Sequence, residues 1–256
     1  MEIIPKEAVE LAERIYGDVA SPGLQVAGKA IADTLKLITL PFSFLGITSD
    51  ELLKKYENFI HKSLTKVPNE KIVRPEPVIV SKLFDDVKYV FDNEDLYEMF
   101  SNLLASSMNI DTKDKIHVSF VSIIAQMDTV DAKLFYAIHK KQIFPIADIL
   151  FGIKNKKAQN IFSRLCVYEH FDPIKLSVSI VNLIRLGIVE INYDSNLSDD
   201  LFDDIKECEI YKRIILIYKK IKEDEKFAEY DIFIDKASCS FTTLGEIFSH
   251  FVFGGE

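Results

Sequence analysis

Apolar residues recur at the 3.6-residue spacing of an α-helix through most of the first 141 residues, and this pattern constrains the fold more than any other feature of the sequence. It predicts helices over 6–16, 24–40, 49–66, 81–91, 92–108, 116–126 and 128–141. The chain of 256 residues contains only 9 glycines and 8 prolines, so long irregular segments between these helices are not expected. The sequence therefore predicts a mainly α protein with a helical N-terminal body.

Prolines cluster in the segment PNEKIVRPEPVIV, residues 68–80. They disfavour helix at the residues that precede them, so we predict an extended arm that lies over a helical body. Ser49 and Asp128 are predicted N-caps, because a side-chain oxygen at that position accepts a backbone N–H of the first helical turn. We divide this part of the chain into N-terminal helices with the arm, residues 1–80, and a central helical region, residues 81–141.

The pattern changes in the last part of the chain, residues 142–256, where helical and strand patterns alternate. Short helices are predicted over 145–152, 155–168 and 175–186, strands over 188–193, 230–235 and 237–241, and a long polar helix over 198–227. Gly187 is predicted to end one helix, and Thr243 with Glu246 to form the capping box of a last helix. This order predicts a small α+β part that is winged-helix-like.

The net charge of −9 is unevenly distributed and bears on the partners that the chain can bind. Residues 1–80 hold ten basic and eleven acidic side chains, whereas residues 81–256 carry the remaining −8. A predominantly acidic surface repels phosphate backbones, so nucleic acid is not an expected partner. The first residues lack the basic and apolar regions of a signal peptide, and no segment reaches the roughly 18 apolar residues that span a bilayer, which predicts a cytoplasmic protein.

Motifs that carry catalysis or bind cofactors are absent from the sequence, so we predict no catalytic residues, no cofactor and no enzymatic activity. Cys166 and His170 could share a helix face and offer two metal ligands, but no second pair completes a site and no metal is predicted. The acidic cluster SDDLFDD, residues 198–204, lacks the spacing and glycine turn of a calcium loop. An enzyme built from dispersed acids is an alternative that replacement of Asp199 and Asp203 would test.

An uncharged run from Leu37 to Ile47 poses a choice between a membrane contact and a buried helix. It continues the apolar face of the helix over 24–40, and lysines follow it, a combination typical of a peripheral membrane anchor. The same pattern is typical of a helix that packs on a partner helix and exposes its lysines. The candidate membrane or partner surface consists of Leu35, Ile38, Phe42, Phe44, Leu45, Lys54, Lys55 and Lys62.

The winged-helix-like part offers few contacts for DNA. Folds of this kind place the helix before the wing in a groove of the duplex. Here that helix carries only Lys175 and Arg185, and residues 194–209 hold seven acids and one lysine. Because a phosphate-tracking surface needs several cations, a role in packing or protein contact is favoured over DNA binding.

Six blocks follow one another along residues 16–253: GDVASPGLQVAGKAIADTLKLI, KVPNEKIVRPEPVIVSKLFDDVKY, DLYEMFSNLLASSMN, HVSFVSIIAQMDTVDAKLF, NLIRLGIVEI and FTTLGEIF. In this order they resemble the abortive infection alpha family, bacterial proteins otherwise described as a domain of unknown function. The residues that match the family's motif positions are Asp18, Pro22, Gly28, Pro75, Pro77, Asn102, His117, Phe120 and Asp131. We expect structural roles for each, in turns, caps and core. Val118 departs from the proline expected after the histidine.

The resemblance implies a role in abortive infection, in which an infected bacterial cell stops growing or dies before phage spread. It supplies no catalytic residues. We expect a non-enzymatic sensor or effector that acts through protein partners or self-association. One alternative is a membrane-perturbing effector that uses segment 24–47 in peripheral contact with the inner membrane. Another is a winged-helix DNA-binding regulator, which salt-dependent DNA binding would reveal.

Overall fold

The computed structural model describes residues 49–141, 143–153, 156, 158–193 and 197–254. The chain divides into two compact units, of which the first comprises residues 1–127 with 248–256 and the second comprises Asp128–Ile247. Nine α-helices and four β-strands lie within the described residues. The protein is therefore mainly α with a small sheet, as the sequence predicts. The domain boundaries predicted after residues 80 and 141 stay predictions.

The described part of the first unit contains four complete helices, each of which overlaps a helix predicted from the helical spacing. They are α1 (Ser49–Leu64), α2 (Pro77–Val87), α3 (Glu94–Ser107) and α4 (Ser119–Ala125). Their apolar faces pack together around aromatic rings, and Phe59 meets Phe84 edge to face. The Tyr56 hydroxyl donates to the carbonyl of Phe84 at 3.0 Å, so this buried polar atom has a partner. The helices predicted over 6–16 and 24–40 lie outside the described residues.

The segment 68–80 is only partly the extended arm that its prolines predict. Ile72 is extended and pairs with Asn109 in an isolated bridge. From Pro77 the chain is already helical, four residues earlier than predicted. Proline is favoured in the first helical turn, because the backbone N–H groups of that turn have no partner within the helix and the one that proline lacks is not needed. α2 also ends earlier than predicted, at Val87.

The second unit combines helices with a four-stranded antiparallel sheet. In chain order the elements are α5 (Thr129–Lys140), β1 (Phe144–Gly152), β2 (Ala158–Leu165), α6 (Pro173–Arg185), β3 (Val189–Asn192), α7 (Asp203–Glu207), α8 (Glu209–Ile221), β4 (Asp231–Phe241) and the start of α9 (Thr243–Val252). The strand order β2-β1-β4-β3 leaves β2 and β3 at the edges of the sheet. Asp128 caps α5 as predicted, in a capping box with Asp131.

The helices predicted over 145–152 and 155–168 are wrong, because this segment forms the hairpin of β1 and β2. Short apolar runs of this length do not distinguish a helix from a buried strand. β1 pairs with β4 in an unbroken register of nine residue pairs. The strand conformation is thus selected by pairing with a segment far along the chain. The local sequence pattern carries no information about that pairing.

Two other predictions in this unit are corrected. The helix predicted over 198–227 is interrupted at Cys208, where the backbone is extended and the sulfur accepts the N–H of Tyr211 to cap α8. The strands predicted over 230–235 and 237–241 are one strand, β4, because its register with β1 continues between them. The two predicted strands pair with the same strand, β1, so no turn separates them.

The start of α9 lies close against the chain that leaves α6. Its N-cap is Thr242 and not Thr243, because Thr242 Oγ1 accepts the N–H of Gly245 at 3.0 Å. A Cβ atom at Gly245 would lie 1.8 Å from the carbonyl oxygen of Ile188, so only glycine permits this approach. Gly187 follows α6 in the left-handed region, with φ of 75°, which confirms it as the end of that helix.

The sheet and α6 each bury an apolar face. One core joins β1, β2 and α7, and α8 covers it with half-buried side chains. Its buried members are Ala147, Ile149, Leu165, Phe202 and Ile205. α6 packs on α5 and β2 through Leu176, Ile180 and Leu183. The order α6, β3, β4, α9 agrees with the predicted order of elements, and β1 and β2 extend the sheet beyond it.

A candidate protein-interaction groove

The surface predicted around segment 24–47 falls only in part on described residues. Leu35, Ile38, Phe42, Phe44 and Leu45 lie outside them, and their role stays a prediction. Lys54, Lys55 and Lys62 lie on α1, where Lys54 is exposed to solvent. The other two lysines are engaged with acidic side chains of the same unit.

Each of these two lysines has an acidic partner at contact distance. Lys55 Nζ lies 2.7 Å from Asp92 Oδ1, and Lys62 Nζ lies 2.5 Å from Glu98 Oε2. Lys62 also lies over the ring of Tyr97, 4.9 Å from its centroid, which adds a cation–π contact. These contacts join α1 to α3 and to the loop that precedes α3. The charges of Lys55 and Lys62 are therefore already partly neutralised within the protein, which leaves less charge for a lipid or a protein partner.

Glu98 is also the centre of a polar cluster that extends toward the end of α9. Lys66 Nζ lies 2.5 Å from Glu98 Oε1 and donates to Asn102 Oδ1 at 2.6 Å. Asn102 Nδ2 in turn donates to the carbonyl of Val252 at 2.7 Å. Burial alone would raise the pKa of Glu98, but hydrogen bonds from Lys62 and Lys66 outweigh it and lower this pKa. We call Lys62, Lys66, Glu98 and Asn102 the Glu98 cluster. Its ion pairs and hydrogen bonds join α1, α3 and the end of α9, so its role is structural.

Other positions that carry the family resemblance also have structural roles. Asp131 Oδ2 accepts the N–H of Asp128 at 3.0 Å and the amide of Asn182 at 2.7 Å, which joins α5 to α6. Burial raises the pKa of Asp131. Phe120 is buried against Phe248 in the first unit. Pro75 is buried and Pro77 opens α2, whereas Asp18, Pro22 and Gly28 lie outside the described residues.

The pairing of Cys166 with His170 on one helix face is wrong, because both residues lie in the connection between β2 and α6. Cys166 is fully buried, and burial raises the pKa of its thiol to about 12, far from the thiolate that binds metals. His170 is exposed. Across the described ranges, no group of three His, Cys, Asp or Glu side chains is arranged to hold a metal ion. No helix in those ranges is long and apolar enough to cross a membrane.

The acidic cluster over 198–204 is engaged in ion pairs. Asp199 is paired with Lys236, and this hydrogen bond lowers the pKa of Asp199. Asp203 Oδ1 lies 2.9 Å from Lys206 Nζ. Lysines therefore pair with two of the four aspartates of the cluster, and acids are favoured near a helix start.

A groove that is open to solvent lies between β2 and α6. Its volume is about 450 Å³ and its walls are mainly apolar. It is lined by Ile161, Phe162, Ser163 and Arg164 of β2 and by Ile174, Ser177, Val178 and Val181 of α6. We call it the β2–α6 groove. All of its lining residues belong to the second unit.

α6 exposes apolar side chains because it is apolar on two faces. Leu176 and Ile180 are buried, whereas Ile174, Val178 and Val181 are 54%, 65% and 45% exposed. The exposed three follow the spacing i, i+4, i+7, which is typical of a helical stripe that packs on another element. The apolar spacing of these three residues is present in the segment PIKLSVSIVNLIR. The prediction of a helix did not distinguish the face that is buried from the face that is exposed.

β2 is an irregular edge strand. Its register with β1 shifts at two places, one next to Ile161 and the other next to Arg164. Bulges of this kind bend an edge strand, turn its side chains and hinder pairing with a further strand. Ser177 Oγ donates to the carbonyl of Ser163 at 2.7 Å, which joins α6 to β2 within the lining of the groove.

Arg164 combines an unusual backbone with an unsatisfied side chain. Its φ is 57°, in the left-handed region that residues other than glycine rarely adopt. Its backbone N–H donates to Asp148 Oδ1 at 2.7 Å, and Asp148 Oδ2 accepts the hydroxyl of Tyr193 at 2.9 Å. The guanidinium Nε is buried and has no hydrogen-bond acceptor among the described residues. A buried donor without an acceptor costs free energy.

The groove lies in a basic part of an acidic chain. Residues 154–185 contain six Lys or Arg and two Asp or Glu, a net charge of +4, whereas the whole chain has −9. Neither β2 nor α6 carries an acidic side chain. Lys175 is exposed on the first turn of α6, next to Ile174 of the groove.

Comparison with known proteins identifies one family. A profile of the family described as abortive infection alpha matches residues 48–252, which cover most of the chain and every described helix and strand of both units. No curated protein and no solved structure matches the chain. Five of the six sequence blocks lie within the matched residues and the first block, residues 17–38, precedes them, and the chain therefore belongs to the abortive infection alpha family.

Proposed function

We propose that this protein protects a bacterial population against phage by abortive infection, and that it acts by binding another protein in the β2–α6 groove and not by catalysis. Family membership supports the biological setting. The observation that carries the molecular part is the apolar groove, with its three exposed side chains on α6 and an unsatisfied arginine. Patches of this kind on a protein surface mark interaction sites.

The energetic reason is the cost of leaving this stripe in water. Burial of an aliphatic side chain contributes on the order of 1.5–3 kcal/mol when it is complete. Ile174, Val178 and Val181 are about half exposed, so each would contribute roughly half of that on contact with a partner. Such central apolar contacts surrounded by polar residues are the usual composition of a protein interface.

The test is a plaque assay in a phage-sensitive bacterium that expresses the full chain. Replacement of Val178 and Val181 by Gln should reduce protection about tenfold or more, because two central contacts are lost. The matched control replaces Val78 and Ile110 by Gln, since these residues are 57% and 54% exposed in the first unit. Full protection by the groove variant, with normal expression, would overturn the proposal. Survival of cultures at low but not at high phage-to-cell ratio would mark the protection as abortive infection.

The exposed face of α6 also bears on the winged-helix-like order of the second unit. We propose that this order serves protein contact, because the face that would enter a DNA groove is apolar and offers few cations. A gel shift at low ionic strength tests the DNA-binding alternative. A shift that disappears at moderate salt and on replacement of Lys175 and Arg185 by Gln would favour it.

The membrane-perturbing alternative rests on segment 24–47, whose residues lie outside the described ones. It stays a proposal with its own test, which is flotation of the full chain with neutral and with anionic liposomes. Flotation that requires anionic lipid and is lost on replacement of Phe42 and Phe44 by Ser would favour it. Absence of flotation would leave protein contact as the better account.

A further inference from the structure

We infer that the partner of the β2–α6 groove presents an amphipathic α-helix with acidic side chains, one of which pairs with Arg164. The inference rests on the proposed function, because it names the chemistry of the protein that the groove would bind. It follows from three features of the groove: the irregular edge strand, the helical stripe on α6, and the presence of Arg164 and Lys175 on two elements that carry no acidic side chain.

The geometry favours a helix over an added strand. A strand that extends the sheet needs a regular edge, and β2 departs from a regular register on both sides of Phe162. One carbonyl of this edge, that of Ser163, is already occupied by the hydroxyl of Ser177. In contrast, the exposed side chains of α6 have the i, i+4, i+7 spacing that a second helix meets with its own stripe.

The charge favours an acidic helix. Arg164 is one of the residues that line the groove, and its buried Nε lacks an acceptor among the described residues. The carboxylate of Asp148 accepts the Arg164 backbone N–H and the hydroxyl of Tyr193, and no hydrogen bond joins it to Arg164 Nε. A glutamate or aspartate of the partner would pair with the Arg164 guanidinium from the groove side, and a charge-assisted bond of this kind is stronger than a neutral one. Lys175 adds a second cation beside the apolar stripe.

The same charges disfavour a second copy of this chain as the occupant. Two antiparallel α6 helices would bring Lys175 of each copy toward Arg185 of the other, with no acidic side chain on either helix. A different protein with an acidic helix therefore fits the groove better.

The experiment measures binding of three synthetic peptides to the full chain by fluorescence anisotropy. All three are helical peptides of about 18 residues with leucines at i, i+4, i+7 and i+11. They differ only at the positions that flank this stripe, which are Glu, Gln or Lys. We expect the Glu peptide to bind about tenfold tighter than the Gln peptide, and the Lys peptide to bind least. Equal affinity of all three, or tighter binding of the Lys peptide, would overturn the inference.

Variants of the chain locate the effect. Arg164→Gln should weaken the Glu peptide about fivefold to tenfold and leave the Gln peptide nearly unchanged, because only the charged pair is removed. Lys175→Gln should have a smaller effect of the same kind, and it offers a test that does not touch the strained backbone of Arg164. Replacement of Val178 and Val181 by Gln should weaken both peptides. Charge-selective binding that survives Arg164→Gln and Lys175→Gln would place the recognition elsewhere and overturn the inference.

The peptide and plaque assays can fail separately. If the groove variant loses protection while peptide binding ignores charge, the proposed function stands and the acidic helix is wrong. If the Glu peptide binds through Arg164 while the groove variant still protects, the groove recognises such a helix but the proposed function is wrong.

Discussion

The two units treat a partly buried cation in opposite ways. In the first unit, Lys66 is half-buried and both Glu98 and Asn102 accept its hydrogen bonds. In the second unit, Arg164 buries its Nε without an acceptor among the described residues, beside apolar side chains left in water. The lysine and the carboxylate of the Glu98 cluster have partners, although burial lowers the pKa of Lys66, whereas Arg164 Nε in the β2–α6 groove has no acceptor among the described residues. Unsatisfied groups of this kind are expected at sites that bind something else.

The largest effect should separate the two faces of α6. Ile180→Ala should lower the free energy of unfolding by about 2–5 kcal/mol, because it leaves a cavity at a fully buried position. Val178→Ala, at a position 65% exposed, should change it by no more than about 0.5 kcal/mol. Urea unfolding of the full chain measures both values. Similar losses for the two variants would mean that Val178 is part of the core and that the groove is not open.

The next effect tests the hydrogen bonds of the Glu98 cluster. Asn102→Ala should lower the free energy of unfolding by about 1–2 kcal/mol, since Lys66 and the carbonyl of Val252 each lose a partner. Asn58→Ala is the control, because Asn58 is exposed on α1 and alanine is a better helix former. A neutral Asn102→Ala would show that water replaces these bonds and would weaken the contrast with the groove.

A smaller effect of opposite sign is expected at Arg164. Glycine adopts the left-handed backbone without a Cβ penalty, so Arg164→Gly should raise the free energy of unfolding by about 1 kcal/mol while it weakens the Glu peptide. Glu169 is the control, because its φ of 48° carries the same kind of strain outside the lining of the groove. Glu169→Gly should be stabilised similarly and bind the peptide normally. Loss of stability in Arg164→Gly would show that its side chain contributes to packing.

Local signals account for what the sequence predicted well in the fold. The cap at Asp128 and the helix end at Gly187 depend on a few neighbouring residues, and both are confirmed. The strands β1 and β2 were missed because their pairing partners are distant in sequence, and the continuity of β4 depends on the same register. The break at Cys208 was missed because apolar spacing continues through it, although the helix does not.

The candidate site was harder to predict than the fold. The helix α6 was placed correctly, but which of its apolar faces is exposed depends on how α5 and β2 pack against it. The sequence shows lysines on α1 as a basic patch. In the fold, Asp92 and Glu98 form ion pairs with Lys55 and Lys62 and partly neutralise their charges. Arg164 carried no sequence signal, because its left-handed backbone arises at a bulge that only strand pairing creates.

The smallest effect compares two carboxylates whose pKa values move in opposite directions. Hydrogen bonds lower the pKa of Glu98, so its contribution to stability is complete above the unfolded value of 4.5 and is lost as the pH falls through the folded value. Burial raises the pKa of Asp131, so its favourable contribution is present below the unfolded value of 3.8 and is lost as the pH rises through the folded value.

Urea unfolding between about pH 3 and pH 7 should therefore give opposite trends for Glu98→Gln and Asp131→Asn. The destabilisation caused by Glu98→Gln should shrink toward low pH, by less than about 1 kcal/mol, because the side chain of Glu98 is 42% exposed and solvent screens its ion pairs. The destabilisation caused by Asp131→Asn should instead grow toward low pH, since asparagine keeps an acceptor for the cap but lacks the group whose protonation favours the fold. Parallel trends would mean that the carboxylate of Asp131 is compensated as fully as that of Glu98.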